Sequence, residues 1–173
     1  MANTYNLIAS NTLSSSAASV TFSAIPSTYT DLVLRVSARS DRADVTDSLL
    51  LNINGLTTSI YSNTNLFGNG ATASSNRLSA RSNAYLSYIV DAASNTSNTF
   101  GNIEIYIPSY TASQNKPVST FGAREDNSTT AVVNSVATLI QSTATISSIT
   151  LALQFGPNFV SGSSFFLYGI KAN

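Results

Sequence analysis

The segment 102–118, NIEIYIPSYTASQNKPV, decides how this chain reads. Ile103, Ile105 and Ile107 fall on one side and Asn102, Glu104 and Tyr106 on the other, the two-residue period of a strand with one buried and one wet face. A polar turn closed by Lys116-Pro117 follows. The same design recurs along the chain. In DLVLRVSARS (31–40) Leu32, Leu34, Val36 and Ala38 face inward, and Val33, Arg35, Ser37 and Arg39 outward. In SSITLALQFG (147–156) the inward set is Ile149, Leu151, Leu153 and Phe155.

SVTFSAI (19–25) alternates as well, and LLLNING (49–55) is an apolar run stopped by the chain-reversing pair Asn54-Gly55. SSFFLYGIKA (163–172) is apolar on both sides, as suits a central strand covered twice. Further strands are expected at 4–13, 58–67, 84–90, 117–124 and 131–140. In the last, Val133, Val136, Ala137 and Ile140 would also line one side of a short helix; strand is preferred. GNGATASSNR (68–77) reads as a flexible loop, because it lacks both the Lys-Ser/Thr and the following helix of a phosphate-binding loop. About ten or eleven short strands joined by short polar links predict an all-β protein, an antiparallel two-sheet β-sandwich of jelly-roll type, as one domain over 1–173.

Composition narrows the function. Of 173 residues 43% are hydrophobic and only 9% charged, eight basic against eight acidic. Ser, Thr and Asn, roughly two fifths of the chain, must cover the surface in place of charge. No field favours nucleic acid or an anionic membrane. The start, MANTYNLIASNTL, has no basic segment followed by a long apolar one, and no apolar run approaches a spanning length, so synthesis in a cytoplasm without membrane insertion is expected.

With no His and no Cys, Ser-His-Asp and Cys-His chemistry and Cys- or His-ligated metal are ruled out. Acid chemistry would need two of Asp31, Asp41, Asp44, Asp47, Asp91, Glu104, Glu125 and Asp126 across a cleft, and nothing in their spacing suggests it. Glu104 is expected to pair with Arg35 across the sheet. Asp41, Asp44 and Asp47 share a loop with Arg42; a cation site is physically possible, but the spacing departs from an EF-hand and a solvated loop is preferred. Asn95-Thr96-Ser97 and Asn127-Ser128-Thr129 match the glycosylation pattern, read as coincidence in an Asn-, Ser- and Thr-rich chain. Tyr29, Tyr61, Tyr85, Tyr88, Tyr106 and Tyr110 suit either a protein interface or a glycan site; interface is preferred. No catalytic, cofactor-binding or metal residue is therefore assigned, and no cofactor is expected.

The strings TYTDLVLRVSARSDRA, NIEIYIPSYTASQNKPVS and ITLALQFGPNFVSGSSFFLYGIK, with the opening TYNLIASNTLSSSAASVTFSAIPSTY, resemble a family of tailed-bacteriophage virion structural proteins. The resemblance spans nearly the whole chain, is weakest over 56–98, and carries over no functional residue. It implies a structural, non-enzymatic role in the virion. The expectation is a capsid decoration or cement protein bound to the major capsid protein, favouring a homotrimer, and made in the host bacterial cytoplasm. The alternative is a tail or fibre module binding a host surface glycan through Tyr61, Tyr85 or Tyr110.

Overall fold

The computed structural model describes residues 4–127 and 131–171. Twelve strands form: β1 Tyr5–Thr12, β2 Ser19–Phe22, β3 Asp31–Ala38, β4 Thr46–Ile53, β5 Tyr61–Gly68, β6 Ala73–Arg81, β7 Ala84–Asp91, β8 Gly101–Ile107, β9 Lys116–Arg124, β10 Val132–Ile140, β11 Ile149–Leu153 and β12 Ser164–Ile170. They make two antiparallel sheets, one of eight strands in the order β1-β12-β3-β8-β9-β10-β5-β6 and one of four in the order β2-β11-β4-β7. The expected two-sheet sandwich is what forms.

Alternation explains the layers. Ile103, Ile105 and Ile107 are fully buried, as are Leu32, Leu34, Leu49, Leu51, Ile149 and Leu151, and residues of both sheets share one core cluster. Each such side chain contributes about 1.5–3 kcal/mol by leaving water. Strand β10 settles the helix-or-strand ambiguity: Val132, Asn134, Val136, Thr138 and Ile140 point inward while the residues between them are exposed. It is flanked on both sides, by β9 and β5.

Four expectations are corrected. The stretch 68–77 is no flexible loop, because β6 runs through its second half. With nearly every side chain exposed, this strand is held by its backbone ladder to β5 and shows no inward-outward pattern to read. Near its end it carries one extra residue against β5, with Ala80 at φ 53°. Strand β12 lies next to the edge strand β1 and is covered on one face only: Phe165 and Leu167 are fully buried, Phe166 and Tyr168 half-buried. Phe155 lies beyond the end of β11 and is 55% exposed. Finally, Val33 and Arg39, placed outward by alternation, are both buried.

Asn54 and Gly55 form the expected tight turn, with φ of 51° and 67° and Leu56 N donating to Ile53 O at 2.8 Å. Positive φ at both central positions is what this dipeptide favours. The strands it joins belong to different sheets, so the turn carries the chain across the sandwich.

Candidate functional site

The outer face of the eight-stranded sheet is a broad surface available for binding. Its register sets Phe166, Arg35, Glu104, Phe121, Ser135 and Leu66 in one row across six adjacent strands. Leu7, Leu66, Phe121 and Val133 are each more than half exposed, and Tyr106 and Leu139 more than a third. Charge is sparse on this face. Arg35 Nη2 and Glu104 Oε2 form the anticipated cross-strand pair at 3.0 Å, both well exposed, so the two charges largely cancel. Two shallow hollows border Phe121 and Val133, one of about 270 Å³ lined by Arg35, Asn102, Glu104, Phe121 and Ala123. The other, about 260 Å³, is lined by Leu66, Gly68, Ala73, Val133 and Ser135. A wide surface on which Arg77, beside Leu139, is a further exposed charge, and which otherwise presents exposed aromatic and aliphatic groups, has the make-up of a protein contact face.

The carboxylates do not converge on a cleft. Asp91 and Asp126 meet, but at Arg124, whose Nη1 lies 2.9 Å from Asp91 Oδ1 and 3.5 Å from Asp126 Oδ2, all three side chains being almost wholly buried. Asn95 Nδ2 also donates to Asp91 Oδ1. Beside this cluster Arg39 Nη1 donates to Thr96 O at 2.8 Å and Thr99 O at 2.9 Å, and its Nη2 to Asn95 O at 3.0 Å. Two buried guanidinium groups therefore tie the 92–99 loop and the end of β9 to the body. That buries Asn95, the acceptor residue of the first glycosylation sequon, with its amide bonded to Asp91. Ser128 and Thr129 of the second lie outside the described residues.

The three aspartates expected in one solvated loop turn to separate partners, and Asp47 belongs to β4 instead. Asp41 accepts from Asn158 N at 2.9 Å and Asn158 Nδ2 at 2.8 Å; Asp44 pairs with Arg42 at 2.7 Å. Asp47 is fully buried and accepts from Ser40 Oγ, Ser48 N, Phe155 N and Gly156 N. Among the described residues no three acidic side chains are placed to hold a metal ion. Asp31 accepts from Tyr106 Oη at 2.9 Å and Ser109 N at 2.8 Å, and Glu125 from Asp126 N and Asn127 N.

Two of the tyrosines offered as glycan contacts are core residues. Tyr61 is 1% exposed; its hydroxyl donates to Leu56 O at 2.8 Å and accepts from Ile53 N at 3.2 Å. Tyr110 is fully buried and donates to Pro26 O. Burial pushes both hydroxyls above the usual tyrosine range. Aromatic identity alone cannot tell a loop ring from a core ring, since both uses suit Tyr. Lys116, the turn-closing residue of the opening segment, is also fully buried, its Nζ donating to Ala112 O at 2.5 Å and Gln114 O at 2.6 Å.

No protein-family model and no curated protein matches the chain. Among solved structures it is similar to Scytalido-glutamic peptidase with a peptide-based transition-state analogue, at 11% identity and a TM-score of 0.29, over 89% of this chain and 78% of that one. A likeness that slight carries no argument about chemistry.

Proposed function

We propose that this chain is a structural protein of a tailed-phage particle, a decoration or cement protein that lies on the major capsid protein shell, as a trimer, and stabilises it. The observation that carries this reading is the outer face of the eight-stranded sheet, where Leu7, Leu66, Phe121 and Val133 stand exposed around a single exposed ion pair. Docked across neighbouring shell subunits, such a face adds stability to the assembled state alone. The resemblance of the strand and turn strings points the same way, and the reading assigns no catalytic residue. The glycan alternative loses Tyr61 and Tyr110 as contact residues, because both are buried.

The test is binding of purified chain to undecorated particles, with copy number counted on native ones. Hundreds of copies per particle are expected, and Phe121→Asp and Leu66→Asp should abolish attachment while leaving the melting temperature close to wild type. A handful of copies, or attachment indifferent to both substitutions, would remove the proposal.

A further inference from the structure

The two sheets differ in width, and the mismatch leaves part of the larger sheet's inner face uncovered. Strand β7, the edge of the four-stranded sheet, lies over β8, β9 and β10 and reaches only the near side of β5. Beyond it, Asn65 and Phe67 of β5 and Asn76 of β6 floor a cleft of about 280 Å³. Tyr85 and Tyr88 of β7 wall one side; Ser48, Gln154 and Phe155 complete it. No charged residue lines it.

One amide of its floor is set in place and left open. Asn65 is 2% exposed and directly opposite Asn76 in register. Asn134 Nδ2 donates to Asn65 Oδ1 and to Leu66 O at 3.0 Å, while Asn134 Oδ1 accepts from Tyr88 N at 3.1 Å. This fixes the Asn65 amide with its acceptor used, and among the described residues no acceptor meets its Nδ2. An amide held rigid at the cleft floor with both protons unspent is a ready donor to a ligand hydroxyl. Phe155 is pinned too: its N donates to Asp47 at 3.2 Å, and the Arg42 guanidinium lies 4.3 Å from its ring centre. Arg42 is in turn neutralised by Asp44 and bonded to Thr46 O at 2.8 Å.

We propose that this cleft binds an uncharged saccharide. A pyranose ring has apolar C–H faces that pack on aromatic rings and a rim of hydroxyls that both donate and accept, and the cleft offers four aromatic rings beside three amides. A purely apolar ligand would leave the amides without partners, and an anion would find no cation. The inference is independent of the capsid reading, since the cleft opens on the inner side of the overhang and the docking face is the outer side.

The test is an NMR titration of the intact chain with neutral oligomers of glucose, galactose and N-acetylglucosamine, and with a uronic acid oligomer as the charged comparison. A neutral series should bind in the millimolar range and shift the Asn65, Asn76 and Tyr85 signals, while the uronic acid series should not. Phe155→Ala and Asn76→Ala, both at exposed positions, should each weaken binding about tenfold without lowering the melting temperature. Phe121→Asp on the opposite face should leave it unchanged, separating this proposal from the docking one. Absence of cleft shifts with all three neutral series, or shifts indifferent to Phe155→Ala and Asn76→Ala, would overturn it.

Discussion

Ile89 of β7 occupies the space that side chains on two glycines of the facing sheet would need. A Cβ built on Gly101 would come within 1.7 Å of Ile89 O, and one on Gly122 within 1.7 Å of Ile89 Cδ1. The two sheets thus approach closely where β8 and β9 lack side chains, and Ile89 is fully buried there.

The two glycines should respond differently to alanine. At Gly122 the obstacle is the tip of a side chain, so Gly122→Ala should cost about 1–3 kcal/mol as overpacking. Adding Ile89→Val, which removes Cδ1, should recover part of that loss. At Gly101 the obstacle is backbone, so Gly101→Ala should cost more and gain nothing from Ile89→Val. Chemical denaturation of the four variants checks this, and equal rescue at both sites would refute it.

The buried and exposed ion pairs should differ severalfold in worth. Arg124→Met strands Asp91 and Asp126 without their shared cation, and should cost about 3–5 kcal/mol. A double-mutant cycle on Arg35 and Glu104, both more than half exposed, should give a coupling of about 0.2–1 kcal/mol that shrinks with salt. Urea melts at low and high ionic strength distinguish the two.

Alkaline stability should follow the buried tyrosines. Burial raises the Tyr61 hydroxyl above its ordinary 10.0, so the folded state holds that proton more tightly than the unfolded one. Its contribution is complete below pH 10 and lost as pH rises through the folded value, so the denaturation midpoint should fall above pH 10. Tyr61→Phe should flatten part of that fall.

Lys116 works with the opposite sign. Burial lowers its amine below the ordinary 10.5, so the unfolded state binds more protons in the window beneath 10.5 and stability from this group rises with pH there. In Lys116→Met that rise should vanish, and the protein should also be less stable at neutral pH, because the carbonyls of Ala112 and Gln114 lose their donor. Fluorescence-detected urea melts across pH 8 to 11 would show both effects.

Strict alternation around Ile103, Leu34 and Leu151 was enough to make the chain all-β and two-layered, because a two-residue apolar period can bury one face only as a strand. The Arg35–Glu104 pair and the Asn54-Gly55 turn were legible for equally local reasons. Strand β6 was not, because its order comes from hydrogen bonds to β5 and its residues carry no apolar signal. Nor was the burial of Tyr61, Tyr110, Arg39 and Lys116, since what surrounds a side chain depends on segments far away in sequence. Tertiary structure alone decided that the sheets would be eight and four strands wide. That inequality opens the amide-lined cleft, and it arises from long-range strand pairing, which no local pattern encodes.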